Sequence, residues 1–321
     1  MGLQNRARAT LSIGVFMAGI RKYMDIQPGR LWRGLMLIWL TLALAVAAQA
    51  SADAGLPFSQ GRLFRIGKPG AAPSHVFGTM HSDDQRVLSL PAPVRQAFDS
   101  AETVALELDL GPAAMAASMA GMLLTDGREL RDVVGDELYA QTVEAVAGIG
   151  MPEMAIRKFK PWGVAMLLSM PPIDSGRFLD LALYQSAKAQ GKTVKGLETA
   201  AEQLAVFDGL SEPDQIEILQ EALANRHLFD RMFKEMTDAY LQGDLGALVR
   251  LNEKYGAGDS AAGQRLQERL LDKRNKLMVK RLIPLLGKGN IFVAIGALHL
   301  PGKNGILYLL KERGFKVKSV H

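Results

Sequence analysis

The 321-residue chain contains no cysteine. That absence excludes disulfides, a lipid-bearing cysteine, thiolate metal sites and thiol nucleophiles. Any metal site must be assembled from His and carboxylates, with Asn or water in support. Other signatures are missing as well. No Gly-x-Ser-x-Gly turn is present, which argues against a serine mechanism of the α/β-hydrolase type. No His-Glu-x-x-His helix is present, so the common zincin ligand set is excluded. Gly191-Lys192-Thr193 has the tail of a phosphate-binding loop, but Ser186 stands where such a loop requires Gly. Excess charge is scarce: a formal net charge of +5, spread along the chain, predicts neither a nucleic-acid groove nor a polybasic membrane patch.

One apolar run stands out, from Gly34 to Ala50, preceded by Arg30 and Arg33. It ends in the small-x-small site Ala48-Gln49-Ala50, and the polar Ser51-Ala52-Asp53 follows. Basic flank, short apolar stretch and small-residue site are the order of a secretory signal peptide. The competing reading is an uncleaved anchor, for which the run is somewhat short. The expected organisation is therefore an N-terminal extension and signal over residues 1–50, with Met24 as an alternative start, and one domain over 51–321. Export to the periplasm, or anchoring at the inner membrane facing it, follows as an expectation. Membrane contact is expected only through the uncleaved N-terminal segment.

Alternating apolar patterns predict strands at Arg62–Ile66, Ser74–Phe77, Thr103–Leu110, Lys192–Leu197, 291–297 and Phe315–Val320. Helical periodicity fills the middle. It predicts helices over Asp136–Ala147, Met154–Met170 with a break or kink at Pro161, Arg177–Gln190, Glu212–Gln242 and Gly263–Leu286. Met115, Met119 and Met122 fall at helical spacing and read as core packing. His227 reads as a surface residue. The strands at the two ends must pair with one another, because an isolated hairpin is marginal. The expected fold is α/β: a central mixed sheet built from two distant half-repeats, with a large helical insertion between them.

The half-repeat reading comes from one motif that occurs twice. Val76-Phe77-Gly78-Thr79-Met80-His81 and Val293-Ala294-Ile295-Gly296-Ala297-Leu298-His299 are apolar strands ending in Gly-x-x-His. A glycine lets the chain turn where a side chain would clash. A His just beyond a buried strand stands at the rim of a sheet, where sites usually form. Two copies in a chain with five His residues point to a shared site. Imidazole is a common metal ligand and also a general base, so the residues alone do not choose. Glu107 sits in an otherwise apolar strand, with Ala105 and Asp109 on the same face. It is either a solvent-facing edge residue or a carboxylate at the site, and a buried one needs a partner. Glu198 follows a short strand and precedes a helix, where a carboxylate is also favoured by the helix dipole alone.

The ordered set of these segments resembles the TraB/GumN family, related to the Tiki proteins and more distantly to erythromycin-esterase-like proteins. It comprises Phe77-Gly78-Thr79-Met80-His81, Leu106-Glu107-Leu108-Asp109, Lys160-Pro161-Trp162, Gly196-Leu197-Glu198-Thr199 with Glu202-Gln203, Arg274-Asn275 and Val293 to Leu300. The resemblance spans the chain from about residue 60. It implies two related halves around a central sheet and a metal-dependent hydrolase site at the strand ends. Tiki relatives are described as metal-dependent proteases using two Gly-x-x-His motifs and a strand-end Glu, which correspond to His81, His299 and Glu107.

On that basis the leading expectation is an exported metal-dependent hydrolase acting on peptides. His81, His299 and Glu107 are the expected ligands of a divalent ion, with Mn²⁺, Co²⁺ and Zn²⁺ all compatible. Glu107 and Glu198 share the carboxylate-ligand and proton-acceptor roles. Arg274 is expected at a developing oxyanion or a substrate carboxylate, and Asn275 as a hydrogen-bonding partner. Two alternatives remain at this level. One is a non-catalytic envelope protein binding a peptide or polysaccharide in the same cleft. The other is metal-free acid–base hydrolysis by His81 and Glu107.

Overall fold

Ile291–Gly296 is buried along its whole length, as expected of a strand with structure on both faces and neighbours on both sides. The computed structural model, which describes residues 55–171, 175–256 and 260–321, places it third in a six-stranded sheet. The signal-like segment 34–50 and part of the loop following Tyr255 lie outside the described residues. The strands are β1 (Leu63–Gly67), β2 (Ser74–Thr79), β3 (Thr103–Leu108), β4 (Thr193–Glu198), β5 (Ile291–Gly296) and β6 (Lys316–Ser319). Their order is β4-β3-β5-β2-β1-β6. β4, β3, β5 and β2 run parallel, while β1 pairs antiparallel with both β2 and β6. The sheet is therefore mixed, and four strands end at one edge.

Helices α1 (Gln85–Leu88) and α2 (Ala92–Ser100) connect β2 to β3. Among the described residues, five helices separate β3 from β4: α3 (Pro112–Gly121), α4 (Leu130–Ala147), α5 (Glu153–Ile156), α6 (Pro161–Leu168) and α7 (Leu179–Ala189). Six separate β4 from β5: α8 (Ala200–Asp208), α9 (Glu212–Ala224), α10 (Phe229–Gln242), α11 (Leu245–Tyr255), α12 (Ala261–Gln267) and α13 (Arg274–Lys288). Helix α14 (Ile306–Glu312) joins β5 to β6. None of the described helices is both long enough and apolar enough to cross a membrane.

Two apolar cores explain this layout. One surrounds the sheet, with Phe77, Leu106, Phe292, Val293 and Ile295 at its centre. The other lies among the inserted helices around Met122, Trp162, Val164 and Leu219. β3 passes between them, since Leu106 belongs to the first and Leu108 and Leu110 to the second. Met115 and Met122 are buried in the helical core, as their spacing predicts. His227 is exposed, with its Nδ1 3.1 Å from the Ala224 carbonyl oxygen.

Two predicted helices are interrupted, and a third breaks where its proline predicts. The run Glu212–Gln242 is interrupted after Ala224 by a 3₁₀ turn at Arg226–Leu228. Ile218, Leu219 and Ala222 before the break pack into the helical core, whereas Ala239 and Tyr240 after it pack into the sheet core. The two halves serve different cores, so one straight helix cannot satisfy both. At Pro161 the expected break is realised: Pro161 opens α6 at its first turn, a position where its missing N–H costs nothing. The run Gly263–Leu286 contains a π-helical turn, Glu268–Lys273, immediately before Arg274. A π turn shifts the helical phase by an extra residue and is frequent at functional sites.

Candidate functional site

The parallel edge gathers the two Gly-x-x-His copies. β2 and β5 are adjacent, with Thr79 opposite Gly296, so His81 and His299 leave neighbouring strand ends. Gly78 sits at a close pass: a Cβ there would lie 3.0 Å from Leu300 Cδ1 and 3.3 Å from Ala297 Cα. β3 flanks β5 on the other side and carries Glu107. β4 lies beyond it, with Glu198 as its last residue opposite Leu108. Glu107 and Glu198 are both buried, which removes the solvent-facing alternative for Glu107.

Arg274 joins the two carboxylates. Its Nη2 donates to Glu107 Oε2 at 2.6 Å and to Glu198 Oε2 at 2.7 Å. Its Nε donates to Glu198 Oε1 at 3.1 Å and Oε2 at 3.0 Å. Burial works against the guanidinium charge, but Glu107 and Glu198 more than reverse this and raise its pKa. The structure thus places Arg274 beneath the carboxylates, its hydrogen bonds directed to them and to the Leu270 carbonyl. Gln203 Nε2 adds a 3.1 Å bond to Glu198 Oε2, and the Gly296 N–H donates to Glu107 Oε1 at 2.6 Å.

Asn275, the next residue of α13, sets the state of His299. Its Nδ2 donates to the Asn304 carbonyl at 2.9 Å, which turns its Oδ1 toward the imidazole. His299 Nδ1 lies 2.6 Å from that oxygen and must carry the proton. The Nε2 lone pair is then bare, fully buried and without a hydrogen-bond partner, 4.0 Å from Glu107 Oε1. Burial drives the His299 pKa down to about 3, with Arg274 pushing the same way and Glu198 opposing. The imidazole is neutral at ordinary pH.

His81 has a partner that sequence reasoning missed. Its Nδ1 lies 3.1 Å from Asp180 Oδ2, out of line for a hydrogen bond in these rotamers, and neither atom has another partner. Thr79 Oγ1 donates to the other Asp180 oxygen at 2.8 Å. The His81 ring packs on Phe178 with centroids 4.4 Å apart. Burial holds the His81 pKa well below its ordinary value. Burial also pushes Asp180 up to about 7, assisted by the negative charge of Glu107 and opposed by the Thr79 bond. One sequence signal existed: Asp180 interrupts the apolar run Phe178-Leu179-Asp180-Leu181, and a buried acid is rare without a partner.

All six expected residues, Glu107, Glu198, Arg274, Asn275, His81 and His299, therefore lie along one sheet edge. Glu107, Glu198 and Arg274 touch directly, Asn275 holds His299, and His81 faces Asp180. The Lys160-Pro161-Trp162 segment does not join them. Asp208 accepts from Lys160 Nζ at 2.8 Å and from Trp162 Nε1 at 2.9 Å, and Trp162 stacks on Phe207, a tie between α6 and α8.

A model of the TraB/PrgY/gumN family matches residues 63–319, which covers every strand and every site residue. The chain belongs to the TraB/PrgY/gumN family. Among its curated relatives, metalloprotease TIKI2 of Danio rerio is 24% identical over 300 residues, covering 77% of this chain and 58% of the relative. Metalloprotease TIKI1 of Homo sapiens is 26% identical over 301 residues, with 77% and 59% covered. The uncharacterized protein YbaP of Escherichia coli K12 is 24% identical over 250 residues, with 76% and 89% covered. The chain thus spans about three-fifths of the length of these Tiki relatives. No solved structure matches it significantly.

The metalloprotease names of those relatives raise the question of whether these residues suit a metal. The donor chemistry does. His299 Nε2 is a bare, buried lone pair, and its other nitrogen is fixed by an amide oxygen, the usual arrangement behind a ligating His. The charge balance points the same way, because Glu107 and Glu198 are two buried acids sharing one guanidinium. The ligand set is not assembled: among the described residues no group of three or more His, Asp or Glu is disposed around one point.

Proposed function

We propose that this chain is an exported, metal-dependent hydrolase that cleaves peptide bonds. The observation that carries the reading is the bare Nε2 of His299, buried at the end of β5 beside Glu107 and presented by Asn275. His81 and His299, from adjacent strand ends, and Glu107 would hold a divalent ion, with Mn²⁺, Co²⁺ and Zn²⁺ each suited to nitrogen and oxygen donors. Such an ion supplies Lewis acidity to a scissile carbonyl and makes water nucleophilic near neutral pH.

The chain's own residues divide the remaining work. Glu107 is the carboxylate nearest His299 and so takes the ligand role of the two acids. Glu198, backed by Gln203, anchors Arg274, and Arg274 in turn fixes Glu107 Oε2. A carboxylate so tied is oriented before substrate arrives, which lowers the reorganisation needed during reaction. Released from one of its Arg274 bonds, Glu198 is the second acid available to accept a proton. Asn275 keeps the His299 proton on Nδ1 and away from the reacting side.

Export rests on the basic, apolar, small-residue order before Ser51, and makes the substrate an extracytoplasmic peptide. Metal analysis of the purified protein tests the reading. The expected result is about one bound divalent ion per chain, with cleavage of a peptide library abolished by chelator and restored by Mn²⁺, Co²⁺ or Zn²⁺. Cleavage that survives complete chelation would favour the metal-free mechanism of His81 and Glu107. Metal binding without any cleavage would favour a binding protein.

A further inference from the structure

The two imidazoles are held by different kinds of side chain. His299 has Asn275, a neutral amide whose orientation is fixed by a backbone carbonyl. His81 has Asp180, from the first turn of α7. Nothing in the motif foretells that pairing, since Asp180 lies in the helical insertion and far along the chain from His81.

We infer that Asp180 is the positioning residue of His81: it holds the His81 proton on Nδ1 and leaves Nε2 free to face the site. Four observations carry this. The His81 Nδ1 and Asp180 Oδ2 atoms are 3.1 Å apart and each lacks any other partner. Both side chains are more than nine-tenths buried, at 8% and 7% relative exposure, so bulk solvent competes little for the pair. Asp180 Oδ1 is already committed to Thr79 Oγ1, which leaves Oδ2 as the oxygen turned to the ring. Phe178, two residues earlier, lies against the ring face and restricts its tilt. The start of α7 thus supplies both an aromatic face and a carboxylate for His81. Catalytic hydrogen bonds are often poorly aligned in unliganded sites and tighten on binding.

The consequence for metal binding rests on the function proposed above, whereas the tautomer does not, and the two are separable. An imidazole coordinates through an unprotonated nitrogen, so a proton fixed on Nδ1 prepares Nε2. Asp180→Asn keeps the shape of the side chain and reverses the effect. Thr79 still donates to an oxygen, so the amide oxygen takes the Thr79 side and the NH₂ group faces His81 Nδ1. That nitrogen must then accept, and the proton moves to Nε2.

The experiment is a two-bond ¹⁵N–¹H imidazole spectrum of the metal-free, full-length protein at pH 8, with the His81 signal identified by its loss in His81→Gln. The expected wild-type pattern is Nδ1–H at His81, and Asp180→Asn is expected to convert it to Nε2–H while His299 stays Nδ1–H. Titration calorimetry with Co²⁺ alone is expected to show affinity lower by roughly 10–100-fold in Asp180→Asn. A wild-type His81 protonated on Nε2 would overturn the inference with no variant needed, as would an unchanged tautomer in a folded Asp180→Asn protein. A tautomer that shifts while neither protein binds Co²⁺ supports the positioning role and rejects the metal reading. Equal Co²⁺ binding with an unmoved tautomer does the opposite.

Discussion

His299 donates its Nδ1 proton to Asn275 Oδ1 at 2.6 Å, and the Asn275 amide is itself locked by the Asn304 carbonyl at 2.9 Å. A backbone carbonyl on one loop thereby decides which nitrogen of a buried imidazole is free. Replacing Asn275 with Ala removes the lock and leaves a buried N–H without an acceptor. The expected outcome is a loss of about 1–3 kcal/mol in stability and roughly 10–100-fold in metal affinity. Urea denaturation and calorimetry measure the two effects separately.

Arg274 is the only guanidinium that Glu107 and Glu198 contact among the described residues. Arg274→Met leaves two buried carboxylates without their counter-charge. Breaking such a network by removing one partner costs about 3–5 kcal/mol. Arg274→Lys keeps the charge but loses the forked geometry, so it is expected to fall between wild type and Met. Chemical denaturation of the three proteins at neutral pH gives the ranking, and equal stability of Met and wild type would show that the triad is not held as described.

Acidification tests the buried imidazole. His299 titrates near 6.5 when unfolded and at about 3 when folded, because burial disfavours its charged form. The unfolded chain therefore binds more protons across that interval. Stability from this group is fully present above pH 6.5 and is lost as pH falls toward 3. Asp180 acts oppositely: with a pKa raised from 3.8 to about 7, its contribution is present below 3.8 and lost as pH rises through 7. His299→Gln removes the first effect alone. In metal-free protein, the gap between wild type and variant is expected to change by about 1.4 kcal/mol per pH unit below 6.5. Urea titrations at pH 7 and pH 5 check the sign.

Gly196 and Gly78 differ in what surrounds them. A Cβ on Gly196 would lie 2.8 Å from the Asp109 backbone nitrogen, so β3 and β4 would have to separate just where Glu107 and Glu198 leave them. A Cβ on Gly78 meets the side-chain tip of Leu300 at 3.0 Å, which can give way more easily. Gly196→Ala is expected to reduce both stability and activity more than Gly78→Ala. Thermal melts alongside peptide cleavage provide the comparison.

Much of the frame was legible in the sequence because it depends on local pattern. Period-2 runs located all six strands to within a few residues, and the repeated Gly-x-x-His placed His81 and His299 at one edge, where β2 and β5 prove to be neighbours. Glu107 and Glu198 were visible as acids at strand ends, though whether they were buried was not. What stayed hidden is tertiary. The break after Ala224 arises because two cores compete for one helical stretch, and the π turn before Arg274 leaves no clear composition signal. Asp180 was concealed by its helix, whose amphipathic pattern tolerates an acid on either face until the packing partner is known. Arg274 was found, but its pairing with both carboxylates required the fold.

In the proposed function His81 and His299 jointly serve a metal-dependent cleavage. Its most direct test is cleavage of a peptide library by wild type, His299→Ala and the His81→Ala/His299→Ala double variant, each with added Mn²⁺, Co²⁺ or Zn²⁺ and again with chelator. Cleavage is expected from wild type only, dependent on the added ion. Cleavage by a folded double variant at the wild-type rate would contradict it.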